Sequence, residues 1–211
     1  MFRDNFLNTP PESFTLREAL QSDEFNGSDT DPLKWISLYN VPNYVVRSIQ
    51  RVLALEMPPI PPRERAFAAC VRHGLCVLCR SPQFQAWRNA YDQAITYDYK
   101  DAEDADDIFM LLRSFTMTIP DLNSGSQREV KFRAPETQRT HLNSTATRLG
   151  ISSSSLGGVV LLDGLRHQDS LLRRDRDSMN HTVNELYRIL QRRTIKIQRL
   201  LTAVREGDSA R

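Results

Sequence analysis

The chain has 211 residues, of which 40% are apolar and 26% are charged, so it is long enough and apolar enough to bury a core. It contains no run of about 18 apolar residues, which argues against a membrane-spanning helix. Its three cysteines, an odd number, fit a reducing compartment better than a disulfide framework. Because its first residues lack the basic and apolar regions of a signal peptide, we expect a cytoplasmic protein with no membrane partner.

The formal net charge of +2 hides a difference between the two parts of the chain. Residues 1–127 contain 12 Lys/Arg and 17 Asp/Glu, a balance of −5, whereas residues 128–211 contain 16 and 9, a balance of +7. A basic C-terminal part predicts an anionic partner, although basic residues on a helix are also typical of a solvated face.

The first stretch, residues 1–31, is polar and rich in turn-forming residues, and we interpret it as a mobile N-terminal arm. In residues 32–80, a short β-prone run ends at Pro42, and the amphipathic helix that follows has Val45 and Ile49 on one face. The sequence MPPIPP must break that helix, because proline cannot continue it, and a second amphipathic helix follows.

Residues 81–127 contain two further helical patterns, separated by an acidic stretch and followed by a linker. The first of the two patterns has an aromatic stripe at Phe84, Trp87 and Tyr91. We interpret this region as a helical insert with a linker.

A strand pattern appears at the start of residues 128–165, where apolar and charged residues alternate before Pro135. Successive side chains of a strand point to opposite faces, so this strand has an apolar side and a charged side. The apolar side consists of Val130, Phe132 and Ala134, and the charged side of Glu129, Lys131 and Arg133. Two helical patterns follow, with Gly150 between them at a position typical of a helix C-cap.

The sequence VKFRAPETQRTHLNSTATRLGISSSSLGGVVLLDGL resembles the ribbon-helix-helix DNA-binding family, the group of the Arc and methionine repressors. The likeness includes the step from Pro135 to Gly150 and the serine-rich start of the second helix, and it covers about a sixth of the chain. The resemblance implies that the lone strand pairs with a second copy, forming a two-stranded antiparallel ribbon that enters the DNA major groove.

Residues 34–75 follow the same order of elements, which indicates an internal repeat. Pro42 corresponds to Pro135, and counting back from these prolines puts Leu38 where the family has a polar, DNA-facing residue. We therefore predict a degenerate first ribbon-helix-helix unit at 32–80 and a second unit at 128–165.

The resemblance implies two kinds of DNA contact. Outward side chains of the ribbon would meet base edges, and the start of the second helix would bind a phosphate through its backbone N–H groups. The base-reading residues would be Lys131 and Arg133, with Glu129 at the margin and Asn40 from the first copy. The phosphate-binding residues would be Ser152, Ser153 and Ser154, with Arg63 in the first copy. The serines are equally suited to capping the helix.

Two strand pairings remain open at this stage. The copies could form one ribbon within the chain, or each could pair with its twin in a homodimer. We favour the first arrangement, because a degenerate copy is better tolerated when its partner keeps the reading residues.

The last region, residues 166–211, is predicted to be one long helix with a heptad seam. It would either form a coiled coil in a homodimer or fold back over the aromatic stripe. The seam consists of Leu172, Met179, Val183, Leu186, Leu190, Ile197, Leu200 and Val204. Further phosphate contacts are expected from Arg192, Arg193, Lys196 and Arg199.

No catalytic, cofactor or metal site is predicted. The group Cys70, His73, Cys76 and Cys79 extends too far along a helix to bind one zinc ion, so we expect buried cysteines. The chain has no nucleophile elbow, P-loop or dinucleotide fingerprint.

The predicted fold is thus mainly α with a short two-stranded antiparallel ribbon, built from tandem ribbon-helix-helix units, a helical insert and a long C-terminal helix. The predicted function is sequence-specific binding of double-stranded DNA, as a transcriptional repressor or autoregulator. The alternatives are an accessory DNA-binding protein in plasmid transfer or partition, and a helical scaffold protein that does not bind DNA.

Overall fold

The computed structural model describes residues 26–56, 63–113, 127–166 and 173–210. Most of the predicted N-terminal arm therefore lies outside the described residues.

Two strands and seven helices make up the described chain. The strands are β1 (Leu33–Pro42) and β2 (Gln127–Pro135). The helices are α1 (Asn43–Glu56), α2 (Arg63–Arg80), α3 (Pro82–Thr96), α4 (Ala102–Arg113), α5 (Glu136–Leu149), α6 (Ser153–Arg166) and α7 (Arg173–Ala210). Each strand is thus followed by two helices, and the prediction of a mainly helical fold with a short antiparallel ribbon is confirmed.

The ribbon is formed within one chain, because β1 pairs antiparallel with β2. One side of it faces the protein interior, as the alternation of strand side chains requires. The buried residues on this side are Ile36, Leu38 and Val41 of β1 and Val130, Phe132 and Ala134 of β2. The predicted apolar side of β2 is therefore confirmed, and the strand pairing is the intrachain one.

The expected outward position of Leu38 is wrong, because its side chain is fully buried, with 0% exposure. The ladder is irregular between Leu38 and Val41, where β1 takes three steps while β2 takes two, from Val130 to Arg128. An extra residue of this kind is a β-bulge, and it reverses which side chains face inward. Counting back from Pro42 without the bulge gave Leu38 the wrong side.

The second helix after each strand, α2 in one case and α6 in the other, packs closely on its counterpart at two glycines. A Cβ atom on Gly74 of α2 would overlap the carbonyl oxygen of Val160, and one on Gly164 of α6 would overlap the carbonyl oxygen of Cys70. Gly74 and Gly164 are 90 residues apart, and so are Cys70 and Val160. The two contacts are therefore equivalent, as expected for two units related by an internal two-fold axis.

The ribbon obeys the same relation. Ser37 lies directly opposite Lys131 at its centre, and the pairs on either side are Ile36 with Phe132 and Leu38 with Val130. A two-fold axis through the Ser37–Lys131 pair exchanges Leu38 of β1 with Phe132 of β2, so the two residues are counterparts. Each unit thus places one large apolar residue of its strand at the same point of the shared core.

The helices fill these two points differently. The ring of Phe132 stacks on that of Phe67 from α2, with the centroids 6.0 Å apart. Leu38 instead lies against Gly157 of α6, where a Cβ atom would meet the Leu38 side chain. Gly157 is 90 residues after Phe67, so a large residue in one unit replaces a glycine in the other.

Residues before β1 complete the start of α5. The Asp31 carboxylate accepts hydrogen bonds from the backbone N–H of Thr137 at 2.9 Å and from its hydroxyl at 2.6 Å. Pro135, at the N-cap position, makes no side-chain cap hydrogen bond, so Asp31 satisfies an N–H group that the helix leaves open. Asp31, the last residue of the predicted arm, therefore has a defined place at the start of α5. At the other end of α5, Gly150 is in the left-handed conformation with φ 64°, which confirms the predicted C-cap.

The long helix α7 folds back onto the chain, where it packs on α3, α4 and α6. Most of its predicted seam is buried in the core shared with the aromatic stripe of α3, at Met179, Val183, Leu186, Leu190 and Ile197, and Val204 is buried as well. The prediction for Leu200 is wrong, because Leu200 is half-buried and the next residue, Leu201, takes the buried position. Leu172 lies outside the described residues. Of the two alternatives for this helix, the structure contains the folded-back one, and the seam is covered within the chain.

Candidate nucleic-acid interface

The outer face of the ribbon joins one cationic strand to one aromatic strand. From β2 it presents Glu129, Lys131 and Arg133, and all three are exposed, as predicted. From β1 it presents two large aromatic residues, Trp35 with 52% exposure and Tyr39 with 56% exposure. These aromatics face outward because they alternate with the buried residues Ile36 and Leu38.

Two contacts organise the charged side chains on this face. The Lys131 ammonium lies 3.1 Å from the Glu129 carboxylate. Both side chains are well exposed, so this ion pair is weak, and Lys131 can exchange it for another anion at little cost. The Arg133 guanidinium lies over the ring of Trp35, with its carbon 4.7 Å from the ring centroid.

The start of α6 lies beside the ribbon because Ser154 joins them. Its hydroxyl accepts a hydrogen bond from the backbone N–H of Tyr39 at 2.5 Å and donates one to the Tyr39 carbonyl at 3.1 Å. Ser152 caps the helix, since its hydroxyl accepts from the backbone N–H of Ser155 at 3.0 Å. Ser153, the first helical residue, is half-buried.

These contacts give two of the three serines a structural role. Ser152 is a cap and Ser154 holds α6 against β1, so their hydroxyls have protein partners. The Ser155 N–H donates to Ser152, so the part of this helix start that suits an anion is the backbone N–H groups of Ser153 and Ser154, because the first N–H groups of a helix lack intrahelical acceptors.

The two residues assigned to the first copy, Asn40 and Arg63, have a described backbone, but their side chains lie outside the described part of the structure. Asn40 falls within β1 at the bulge, and Arg63 is the first residue of α2. Their roles stay predictions.

The sequence reasoning missed Trp35 and Tyr39. The signal was present, because LKWISLYN alternates with Ile36 and Leu38 in one phase and the two aromatics in the other. If the inward and outward positions of β1 had been assigned from this alternation, rather than by counting back from Pro42, the aromatic face would have been predicted.

Of the four cations expected to add phosphate contacts, Arg193 is wrongly assigned. It is buried, and its guanidinium donates a hydrogen bond of 2.6 Å to the Leu149 carbonyl at the end of α5. Burial lowers the pKa of Arg193 to about 10. Its role in the structure is to fasten α7 to α5, whereas Arg192, Lys196 and Arg199 are exposed on α7.

The three cysteines are buried, as predicted. Burial raises the pKa of the Cys70 and Cys79 thiols to about 12, which makes them poor nucleophiles and poor metal ligands at neutral pH. Within the described ranges, no group of three or more His, Cys, Asp or Glu residues is arranged to bind a metal ion. No helix in the described part of the chain is long and apolar enough to cross a membrane.

Comparison of the chain with protein-family models, curated proteins and solved structures gives no match. What the ribbon can bind must therefore be inferred from its own side chains.

Proposed function

We propose that this protein binds double-stranded DNA by placing the β1–β2 ribbon in the major groove. The observation that carries the proposal is the ribbon itself, which buries one side in the core and presents Lys131 and Arg133 on the other. A two-stranded ribbon fits the width of the major groove, where base edges differ from one base pair to the next.

The exposed side chains suit this task chemically. Arg133 can donate two hydrogen bonds to the O6 and N7 atoms of a guanine, and Lys131 can donate to the same acceptors or to a phosphate. The first turn of α6, held beside the ribbon by Ser154, offers backbone N–H groups to a phosphate. The net charge of +7 on residues 128–211 favours association with DNA.

A ribbon made by one chain needs no second copy to be complete. In this proposal the monomer occupies one DNA site, and the burial of the α7 seam supports this, since that face is not available to a second chain. The biological role proposed is that of a transcriptional repressor or autoregulator in the cytoplasm, because the resembled family acts by occupying operators. An accessory role in plasmid transfer or partition uses the same DNA contacts.

A scaffold protein that does not bind DNA is the second candidate. The exposure of Trp35 and Tyr39 favours it, because exposed aromatic residues are enriched where proteins bind one another. The salt dependence of binding distinguishes the two candidates, since phosphate contacts release counterions and aromatic contacts do not.

The test is a selection of duplexes from a random DNA pool, followed by fluorescence anisotropy at about 50 and 200 mM salt. We expect binding that weakens steeply with salt. The double variant Lys131→Ala/Arg133→Ala should bind the selected duplex about ten- to a hundredfold more weakly, because it loses base contacts of about 1 to 3 kcal/mol.

The matched control is Arg88→Ala/Arg188→Ala, which removes the same charge from exposed positions on α3 and α7. It should change the affinity less than about threefold, because those helices do not form the ribbon. Equal losses of affinity in the two double variants would show that the protein attracts DNA through its charge alone, without specific contacts from the ribbon. Unchanged binding in the ribbon variant would refute the proposed interface.

A further inference from the structure

We infer that Trp35 positions Arg133 for recognition of a guanine, so that the ribbon reads an asymmetric DNA site with this contact at one end only. The inference rests on the proposed function. It gives Trp35 of β1, the strand with no predicted cationic reader, a role in determining specificity.

The geometry of the pair is the first support. Trp35 and Arg133 are directly opposed in the ladder, which places their side chains on the same face of the ribbon. The guanidinium lies over the indole ring, with its carbon 4.7 Å from the centroid. A cation–π contact places no hydrogen-bond acceptor beside the guanidinium, so its N–H groups stay available to a base.

The partners of Arg133 among the described residues are the second support. In the described ranges no carboxylate forms an ion pair with Arg133, whereas the neighbouring Lys131 pairs with Glu129. Arg133 is thus held by a partner that leaves its hydrogen-bond donors open. A carboxylate partner would have occupied those donors.

The internal two-fold relation shows why only one end of the ribbon has this arrangement. With Ser37 opposite Lys131 at the centre, the counterpart of Arg133 is Tyr39, and the counterpart of Trp35 is Glu129. The far end therefore has a phenol and a carboxylate where the near end has a guanidinium and an indole. A tyrosine cannot make the paired donor contact to guanine, so the two halves of the bound site must differ in sequence.

The size of the effect follows from the cation–π contact. Without the contact to Trp35 the long Arg133 side chain is free to move. The free energy of the base contact must then offset the conformational entropy that is lost when the side chain is ordered. An exposed cation–π contact corresponds to a change on the order of two- to fivefold in a binding constant. The contact to guanine itself corresponds to about tenfold or more.

The experiment uses the full chain and a duplex selected by the wild-type protein from a random pool. Each guanine of that duplex is replaced in turn by 7-deazaguanine, which lacks the N7 acceptor. We expect one position at which the wild type loses about tenfold in affinity and at which Arg133→Ala loses nothing further. At that same position the loss should shrink to about threefold or less in Trp35→Ala and return in Trp35→Phe, which restores an aromatic face.

Tyr39→Ala is the matched control, because Tyr39 is an aromatic residue on the same strand and face with nearly the same exposure. It should leave the penalty at the Arg133 guanine unchanged. A denaturation midpoint measured for each variant separates loss of folding from loss of recognition.

The outcomes distinguish the two proposals. If Trp35→Ala keeps the full penalty, or if no guanine depends on Arg133, the positioning role is overturned while DNA binding stands. If the selected site is a perfect palindrome, the asymmetric recognition is overturned. If no salt-dependent DNA binding is found at all, the proposed function and this inference both fail.

Discussion

The first unit, β1 with α1 and α2, and the second unit, β2 with α5 and α6, are alike inside and different outside. Inside, the glycine contacts of α2 and α6 are equivalent, and Leu38 and Phe132 occupy matching points of the core. Outside, β1 presents aromatic residues where β2 presents charged ones.

The difference shows which positions the internal symmetry constrains. Where α2 and α6 cross, each helix is the packing surface of the other, so a change on one side must be met by a change on the other. Against the ribbon the two helices differ, since Phe67 of α2 stacks on Phe132 whereas Gly157 of α6 leaves room for Leu38. The outer face has no such partner and could diverge.

The strongest test of this comparison introduces lysine on either side of β1. Leu38→Lys should lower the free energy of unfolding by about 4 kcal/mol or more, because Leu38 is fully buried and the charge would have no partner. Ser37→Lys, one residue earlier on the outward side, should cost less than about 1 kcal/mol despite facing Lys131. Urea denaturation measures both, and equal tolerance of the two changes would contradict the bulged register.

The second test breaks the symmetric helix crossing. Gly74→Ala and Gly164→Ala should each lower the free energy of unfolding by about 2 to 3 kcal/mol, because the new methyl group meets a backbone carbonyl that cannot move alone. Gly207→Ala in α7 is the control, since a Cβ there meets nothing within 4 Å.

That control should stabilise the protein by up to about 1 kcal/mol, because alanine favours a helix more than glycine does. Unequal effects at Gly74 and Gly164 would show that the two halves of the crossing are less equivalent than their contacts suggest. A stabilising effect at either position would contradict the close approach of the helices.

The third test uses pH and Cys70, which occupies in α2 the place that Val160 occupies in α6. Burial raises the pKa of the Cys70 thiol from 9.0 to about 12, so the unfolded chain loses this proton at lower pH than the folded one. The contribution of the protonated Cys70 thiol to the free energy of unfolding is therefore complete below pH 9.0 and is lost as the pH rises toward 12.

The Cys70→Ala variant should lose stability less steeply over that alkaline range, by up to about 1.4 kcal/mol per pH unit. The measurement is the free energy of unfolding at several alkaline pH values for the variant and the wild type. Identical slopes would show that the Cys70 thiol titrates alike in the folded and unfolded chains.

The sequence by itself determined the elements whose signals are local. The alternation of β2 predicted that Val130 and Phe132 face inward and that Lys131 and Arg133 face outward. Gly150 marked the end of α5, because a left-handed residue there costs glycine nothing. Each of these signals depends on neighbours along the chain.

Only the tertiary structure decided the features that depend on distant partners. The bulge before Val41 became visible through the pairing of β1 with β2, and it brought Trp35 into contact with Arg133. The choice between a dimeric coiled coil and a folded-back α7 likewise depended on which surface covers the seam. A heptad pattern states that a helix face must be buried and leaves open what buries it, because the hydrophobic effect is not directional.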